Sequence, residues 1–213
     1  MRKSLAIAMA ALLCCTVLFG QDGKNKTAFG FKTGMNFSTF RQVVSYPTYQ
    51  AKLKLGFVFG GFVDIPVSDR VNLQPEFLYS QMGAKAFDAT TFGDVRLRYN
   101  YFSVPFLVKY KATKTLKVFI GPEADFLIRA RQKDYLDHST SVTNQIKDFD
   151  FAFTVGFEAW ATKHIVVGVR YIHGSQDVST TPSQNTLFNQ GIQVTAGYKL
   201  FRKAKKAKKE KHK

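Results

Sequence analysis

The chain has 213 residues and a formal net charge of +16, long enough for one domain with a continuous core and short of two. Both cysteines, Cys14 and Cys15, lie in the first twenty residues. A chain cut near Gly20 would carry none, which excludes a disulfide framework and any thiolate metal site. The histidines at 138, 164, 173 and 212 have no ligand spacing, and Gly60-Gly61 and Gly121-Pro122 lack the lysine of a phosphate loop, so no metal or cofactor is expected.

The charge does not describe a nucleic-acid binder. Arg2 and Lys3 precede an apolar run, and Arg202–Lys213 holds eight Lys or Arg against one Glu. The +7 left for residues 21–201 is spread without clusters, so no nucleic-acid partner is expected.

Residues 1–20 read as a secretory signal peptide. Arg2 and Lys3 form the positive head, Ser4 to Phe19 is uncharged and rich in Ala, Leu and Val, and Gly20-Gln21 offers a small residue at the cut. The apolar run is short for a spanning helix, which needs about 20 apolar residues. Leu12-Leu13-Cys14-Cys15 resembles a lipobox except that Cys14 stands where Gly or Ala is expected.

After residue 20 the apolar pattern has period two, the mark of a strand with two unlike faces. Eight segments follow in order: 28–38, 52–65, 71–81, 97–110, 116–129, 148–160, 164–173 and 190–200. The clearest is 148–160, where Phe149, Phe151, Phe153, Val155 and Phe157 alternate with Asp148, Asp150, Ala152, Thr154, Gly156 and Glu158. In 97–110 the parity changes near Asn100, as at a β-bulge. Most segments exceed the five to six residues typical of soluble strands and suit a tilted membrane crossing of about 9–11 residues.

Connections near 66–70, 111–115 and 161–163 are short, and those near 39–51, 83–95, 130–147 and 175–187 are long. This predicts an all-β fold: an eight-stranded antiparallel up-and-down transmembrane β-barrel over residues 21–201, with tight periplasmic turns and extended outer loops. The apolar parity then faces lipid, with Tyr79, Tyr110, Tyr171 and Tyr198 as girdle candidates. The polar parity lines the lumen with Lys32, Lys54, Asp64, Gln74, Glu76, Lys109, Lys117, Glu123, Asp125, Arg129, Asp150, Glu158, Arg170 and Lys199. Seven of these are basic and six acidic, so a network of ion pairs is expected inside, with inward glycines making room for it. A soluble lipocalin-like barrel is the competing architecture; it would enclose the aromatic parity around a ligand.

Several stretches carry a family resemblance: Phe29-Gly30-Phe31-Lys32-Thr33-Gly34-Met35-Asn36-Phe37-Ser38, Leu73-Gln74-Pro75-Glu76-Phe77-Leu78-Tyr79-Ser80-Gln81-Met82-Gly83, Val104-Pro105-Phe106-Leu107-Val108-Lys109-Tyr110, Phe119-Ile120-Gly121-Pro122-Glu123 and Val167-Gly168-Val169-Arg170-Tyr171. In this order, over residues 27–201, they resemble the outer-membrane β-barrel domain family abundant in Bacteroidetes, the porin-family or PorT-like barrels. The resemblance implies an outer-membrane location and, for the PorT branch, a link to protein secretion and gliding. It also implies a terminal aromatic signal read by the barrel-assembly machinery, for which Tyr198 and Phe201 are the candidates, although a basic tail follows Phe201.

The expected function is a non-enzymatic structural or binding role through the outer loops and the tail. The alternatives are a narrow porin-like channel and an accessory part in secretion. Expected partners are outer-membrane lipid, lipopolysaccharide and the assembly machinery. The like-charged tail 202–213 reads as a solvated periplasmic extension or a contact for an anionic cell-wall or periplasmic partner. Two loop groups were weighed as nucleophile–base sets, His138 with Ser139 and His173 with Ser175 and Asp177; spacing along a loop gives them no geometry.

Overall fold

Alternation of bulky apolar and small or polar residues makes each segment a strand with one face for hydrocarbon and one for the bore. The computed structural model describes residues 27–44, 49–88, 93–134, 136, 138–178 and 185–201. The segments read as signal peptide (1–20) and basic tail (202–213) lie outside these.

Ten strands form one sheet: β1 (Ala28–Val44), β2 (Tyr49–Lys52), β3 (Lys54–Pro66), β4 (Val71–Asp88), β5 (Gly93–Lys111), β6 (Leu116–Lys133), β7 (Ser139–Ser141), β8 (Phe149–Trp160), β9 (Ile165–Gly174) and β10 (Asn185–Phe201). β2 and β7 are short additions paired to β4 and β6. The other eight are the staves, each antiparallel to its neighbours, and β1 closes on β10 from Ala28↔Phe201 to Val44↔Asn185. Closure pairs the edges that would otherwise stay open, which hydrocarbon demands of a spanning sheet. The eight-stranded up-and-down barrel expected from the sequence is the fold observed.

Ala28 at the start of β1 and Phe201 at the end of β10 share one end of the barrel with the three tight turns. Each turn is pinned by a hydroxyl: Ser68 Oγ accepts from Arg70 and Val71 N–H, Thr113 Oγ1 from Thr115 and Leu116, and Thr162 Oγ1 from His164 and Ile165. By the usual pattern of these barrels this end is periplasmic.

The opposite end departs from expectation. Strands continue into the stretches 39–51, 83–95, 130–147 and 175–187 read as loops, with β1 reaching Val44, β4 Asp88 and β6 Lys133. There the wall stands clear of hydrocarbon, so the outward face no longer needs to be apolar and the period-two signal fades. Gly83 sits in this region at φ +132°, and a Cβ there would collide with the Leu97 carbonyl. Inward glycines have a similar reason elsewhere. At Gly34, Gly56, Gly60 and Gly121 an added Cβ would strike the carbonyl of the adjoining strand, so they permit close strand approach rather than clearing space for long ionic side chains.

The outer wall is apolar: Phe31 is 66% exposed, Ile120 59% and Phe153 51%, while the residues between them point inward and are buried. A lipocalin would enclose this aromatic parity; here most of it faces outward, and the inward rings of Phe62 and Phe119 pack against lysines. Aromatic contacts continue across the outer wall, with Tyr79 packed on Phe57 and Phe59 at centroid distances of 5.5 and 5.3 Å. Tyr110 and Tyr198 lie near the short-turn end, exposed, and Tyr198 stacks on His164 at 5.6 Å.

Candidate functional site

The bore is filled in three levels. Nearest the short turns, Asp64 is the hub: Oδ2 accepts from Lys199 at 2.6 Å and from Lys117 at 3.4 Å, and Oδ1 from Asn72 at 2.6 Å. Lys199 also reaches Glu158 at 3.4 Å, and Glu158 takes Lys109 at 2.5 Å. Aromatic faces seat the ammonium groups: Lys199 lies 4.6 Å from the Trp160 ring, and Lys109 5.4 Å from Phe119. Cation–π contact of this kind stabilises a desolvated cation by about 1–2 kcal/mol.

The middle level centres on Glu76, which is fully buried. Its carboxylate accepts from Lys32 at 2.5 Å, Arg170 at 3.0 Å and the Gln74 amide at 2.6 Å. The inward ring of Phe62 packs beneath Lys32, 5.2 Å away. Glu123 is also fully buried, and both of its oxygens lack a hydrogen-bond partner, as do Nε and Nη2 of Arg170.

Above this, polar uncharged groups meet two more carboxylates. Asp125 accepts from Ser103 Oγ, and Asp150 from Asn189 at 2.8 Å. Gln193 donates to Asn36 at 2.7 Å, and Asn36 donates to Ser80 at 3.0 Å. Charge is thus uneven along the axis: five cations and three carboxylates pair low in the bore, Glu123 lies near Arg170 without a hydrogen bond, and Asp125 and Asp150 lie above them. The sequence predicts an interior of ion pairs and hydrogen bonds, without this division by height.

At the outer mouth the interior turns apolar. Phe40, Met82, Tyr99, Tyr101, Ile172 and Val178 form one buried cluster with Val142 and Ile146 from the β7–β8 connection. Phe40 and Tyr99 meet at 5.3 Å, and Tyr99 and Tyr101 edge-on at 6.4 Å. Asn189 donates to the Tyr101 hydroxyl at 3.1 Å, joining the apolar plug to the polar level below. Sequence reasoning missed this plug; inward apolar residues at 40, 82, 84 and 99 were the available signal. A hollow of about 720 Å³ lies on the outer wall among Val108, Ile120, Val155 and Phe157, where lipid would fill it.

Of the residues read as lumenal, Lys32, Asp64, Glu76, Lys109, Glu158, Arg170 and Lys199 come together in ion pairs, Glu123 lies near Arg170 without joining a pair, and Asp125 and Asp150 lie in the bore apart from them. Lys54 is buried near the outer mouth, where it donates to the Met82 carbonyl at 3.3 Å beside Lys85 and Arg98, apart from the lumenal ion pairs. Arg129 is a correction. The register shifts at Asn100/Tyr101, where β6 holds an extra residue, and this turns Arg129 to the exposed outer wall. Tyr198 faces outward, and Phe201 pairs its backbone with Ala28.

The loop groups weighed as nucleophile–base sets are not assembled. Ser175 Oγ donates to the Phe151 carbonyl at 2.6 Å, and the His173 ring meets the Tyr171 hydroxyl at 3.4 Å. His138, largely in solvent, leans on the half-buried Asp134 at 3.4 Å.

An apolar outer belt, a closed hydrogen-bonded wall and an ionic interior define a transmembrane β-barrel of the smallest class, filled with side chains. The chain belongs to the outer membrane protein beta-barrel domain family, whose model matches residues 19–180, and that family places it in the outer membrane. Among solved structures it is similar to Neisserial surface protein A, with a TM-score of 0.55 at 11% identity, over 83% of this chain and 100% of that one. It is also similar to Ail, the attachment invasion locus protein of Yersinia pestis, with a TM-score of 0.50 at 14% identity, over 83% and 100%. At such identities the likeness concerns the fold alone. No curated protein matches the chain.

Proposed function

We propose that the chain is a non-enzymatic outer-membrane barrel that holds a binding surface at its outer end and conducts no solute through its bore. The observation that carries this reading is double closure: the Asp64–Glu76–Glu158 ion-pair levels below and the Phe40–Tyr99–Tyr101 plug above. Water and ions entering from either side meet buried side chains in contact, and dispersing the ion pairs would leave charges uncompensated. Planar-bilayer recording of the purified barrel tests it. A flat trace is expected, and resolved single-channel steps would favour the porin-like alternative.

In this reading residues 1–20 direct export, and Tyr198 with Phe201 supply the aromatic signal to the assembly machinery. Lipid and lipopolysaccharide surround the belt. The basic stretch 202–213 begins at the short-turn end, on the side of the cell wall, where an anionic polymer or periplasmic protein would attract it. Deletion of residues 203–213 should lower co-sedimentation with cell wall while the barrel stays folded; unchanged co-sedimentation removes the tail from the proposal. The strand motifs resembling PorT-like barrels of Bacteroidetes suit an accessory part in secretion, for which a silent bore is no obstacle. A knockout strain with an unaltered set of secreted proteins would reject that part.

A further inference from the structure

The β4–β5–β6 wall carries, above the lipid-facing belt, two rows of cations aligned across the strands. Cross-strand pairing sets Lys52 against Lys85, Lys85 against Arg96 and Arg96 against Lys133, and one step lower it sets Arg98 against Arg131. Lys52, Lys85, Arg96, Arg98 and Arg131 are exposed. Residues directly opposite in a sheet stand about 5 Å apart, and like charges so placed destabilise it. An anion seated above such a patch would relieve this repulsion.

The rows frame a cleft of about 270 Å³ lined by Lys54, Lys85, Arg96, Arg98, Arg131 and Lys133, with Leu55 and Ser139 and no carboxylate. The nearby Asp134 is engaged elsewhere, accepting from the backbone N–H of Leu136 and of His138. The bulge that turns Arg129 outward adds a further exposed cation on the same wall.

Height selects the ligand. At about 3.3 Å per residue and a tilt near 40°, Arg98 and Arg131 stand roughly 33 to 38 Å above the short turns, over an apolar belt of about 25 Å. Lipid-facing residues lie below them on the same strands, with Phe102 half-buried on β5 and Ile128 exposed on β6. An anion here that also has acyl chains can lay those chains on the belt while its headgroup fills the cleft. Guanidinium forks match phosphate oxygens in pairs.

We infer that the Lys85–Arg96–Arg98–Arg131 cleft binds the phosphate groups of a phosphorylated glycolipid in the outer leaflet. The inference deepens the proposed function and rests on it for the outward position of the cleft.

The full-length barrel, reconstituted in phosphatidylcholine nanodiscs, is offered diphosphoryl lipid A or the same lipid with its phosphates removed, and bound lipid is read by native mass spectrometry. The wild type should retain the phosphorylated lipid with at least roughly tenfold preference, the weight of one charge-assisted contact. The triple variant Arg96→Gln, Arg98→Gln, Arg131→Gln should lose that preference while keeping the gel shift on boiling that marks a folded barrel. The single variant Arg98→Gln, a smaller change to the wall, should lose part of it. Equal retention of the two lipids by the wild type, or full preference in the folded variants, would overturn the inference. So would displacement of the lipid by a soluble sulfated polysaccharide at lower concentration, which would assign the cleft to a soluble polyanion. A conducting barrel that still prefers the phosphorylated lipid would fail the closed-bore reading alone; a silent barrel without preference would fail this one alone.

Discussion

Arg170 and Glu76, 94 positions apart in sequence, meet across the bore at 3.0 Å. The carboxylate is shared with Lys32 on β1, so one acidic side chain ties β1, β4 and β9 together through the interior. Both ends of the Arg170–Glu76 pair are shielded from water, which makes the interaction strong only while every partner is present.

Glu76→Gln therefore leaves Lys32 and Arg170 without their shared counter-charge. Removing one member of a buried pair costs about 3–5 kcal/mol. Urea titration of the barrel in lipid vesicles should show a lower midpoint by that margin, with the folded form still shifting on boiling. A loss under about 1 kcal/mol would show that Glu123, close to Arg170 in the bore, takes over the role.

The plug offers a second test. Tyr101 is fully buried and its hydroxyl is held by Asn189. Tyr101→Ala creates a cavity and frees a donor, and large-to-small changes of aromatics cost about 3–5 kcal/mol. Tyr101→Phe should cost only about 1 kcal/mol, the net worth of the lost hydrogen bond. Neither variant should conduct in a bilayer, because the ion-pair levels beneath remain closed; channel steps in Tyr101→Ala would place the barrier entirely in the plug.

How much of this was legible beforehand follows from what period two encodes. Alternation assigns faces, so Asp64, Glu76, Glu158 and Lys199 could be put inside from sequence together with the outward Phe149–Phe157 parity. It encodes neither height along the axis nor identity of partner. The segregation of Asp125 and Asp150 from the cations was therefore hidden, as was the change to an apolar interior at Phe40, Met82 and Tyr99. Arg129 was misplaced because one extra residue in β6 inverts every face beyond it. The parity change near Asn100 was visible, but its consequence for the opposite strand was not. Phe62 and Phe119, inward aromatics seating lysines, escaped notice because aromatics were read as lipid-facing.

Gly83 probes the wall above the membrane. Its φ of +132° is open to glycine and strained for L side chains, and a Cβ would meet the Leu97 carbonyl. Gly83→Ala should cost about 1–3 kcal/mol. The neighbouring Ala84→Gly, on a buried site without that conformation, should cost roughly 1 kcal/mol or less. Equal losses in vesicle unfolding would mean that backbone conformation is not what selects glycine at 83.

The direction of the two faces can be read by placing a charge on each side of one strand. Val155 is 50% exposed on the outer wall of β8, in the apolar belt, and Thr154 beside it is buried in the bore. In a membrane, Val155→Arg puts a guanidinium in hydrocarbon and should cost about 2–4 kcal/mol near the midplane. In plain detergent-free buffer the same change would touch only solvent and cost little. Urea unfolding in vesicles of fixed thickness measures it, with Phe106→Arg, two strands away on β5, as a second reading of the belt. If both variants unfold at the wild-type midpoint, the aromatic wall does not face lipid, and the membrane position of the ionic bore and of the cationic rows above it is lost with it.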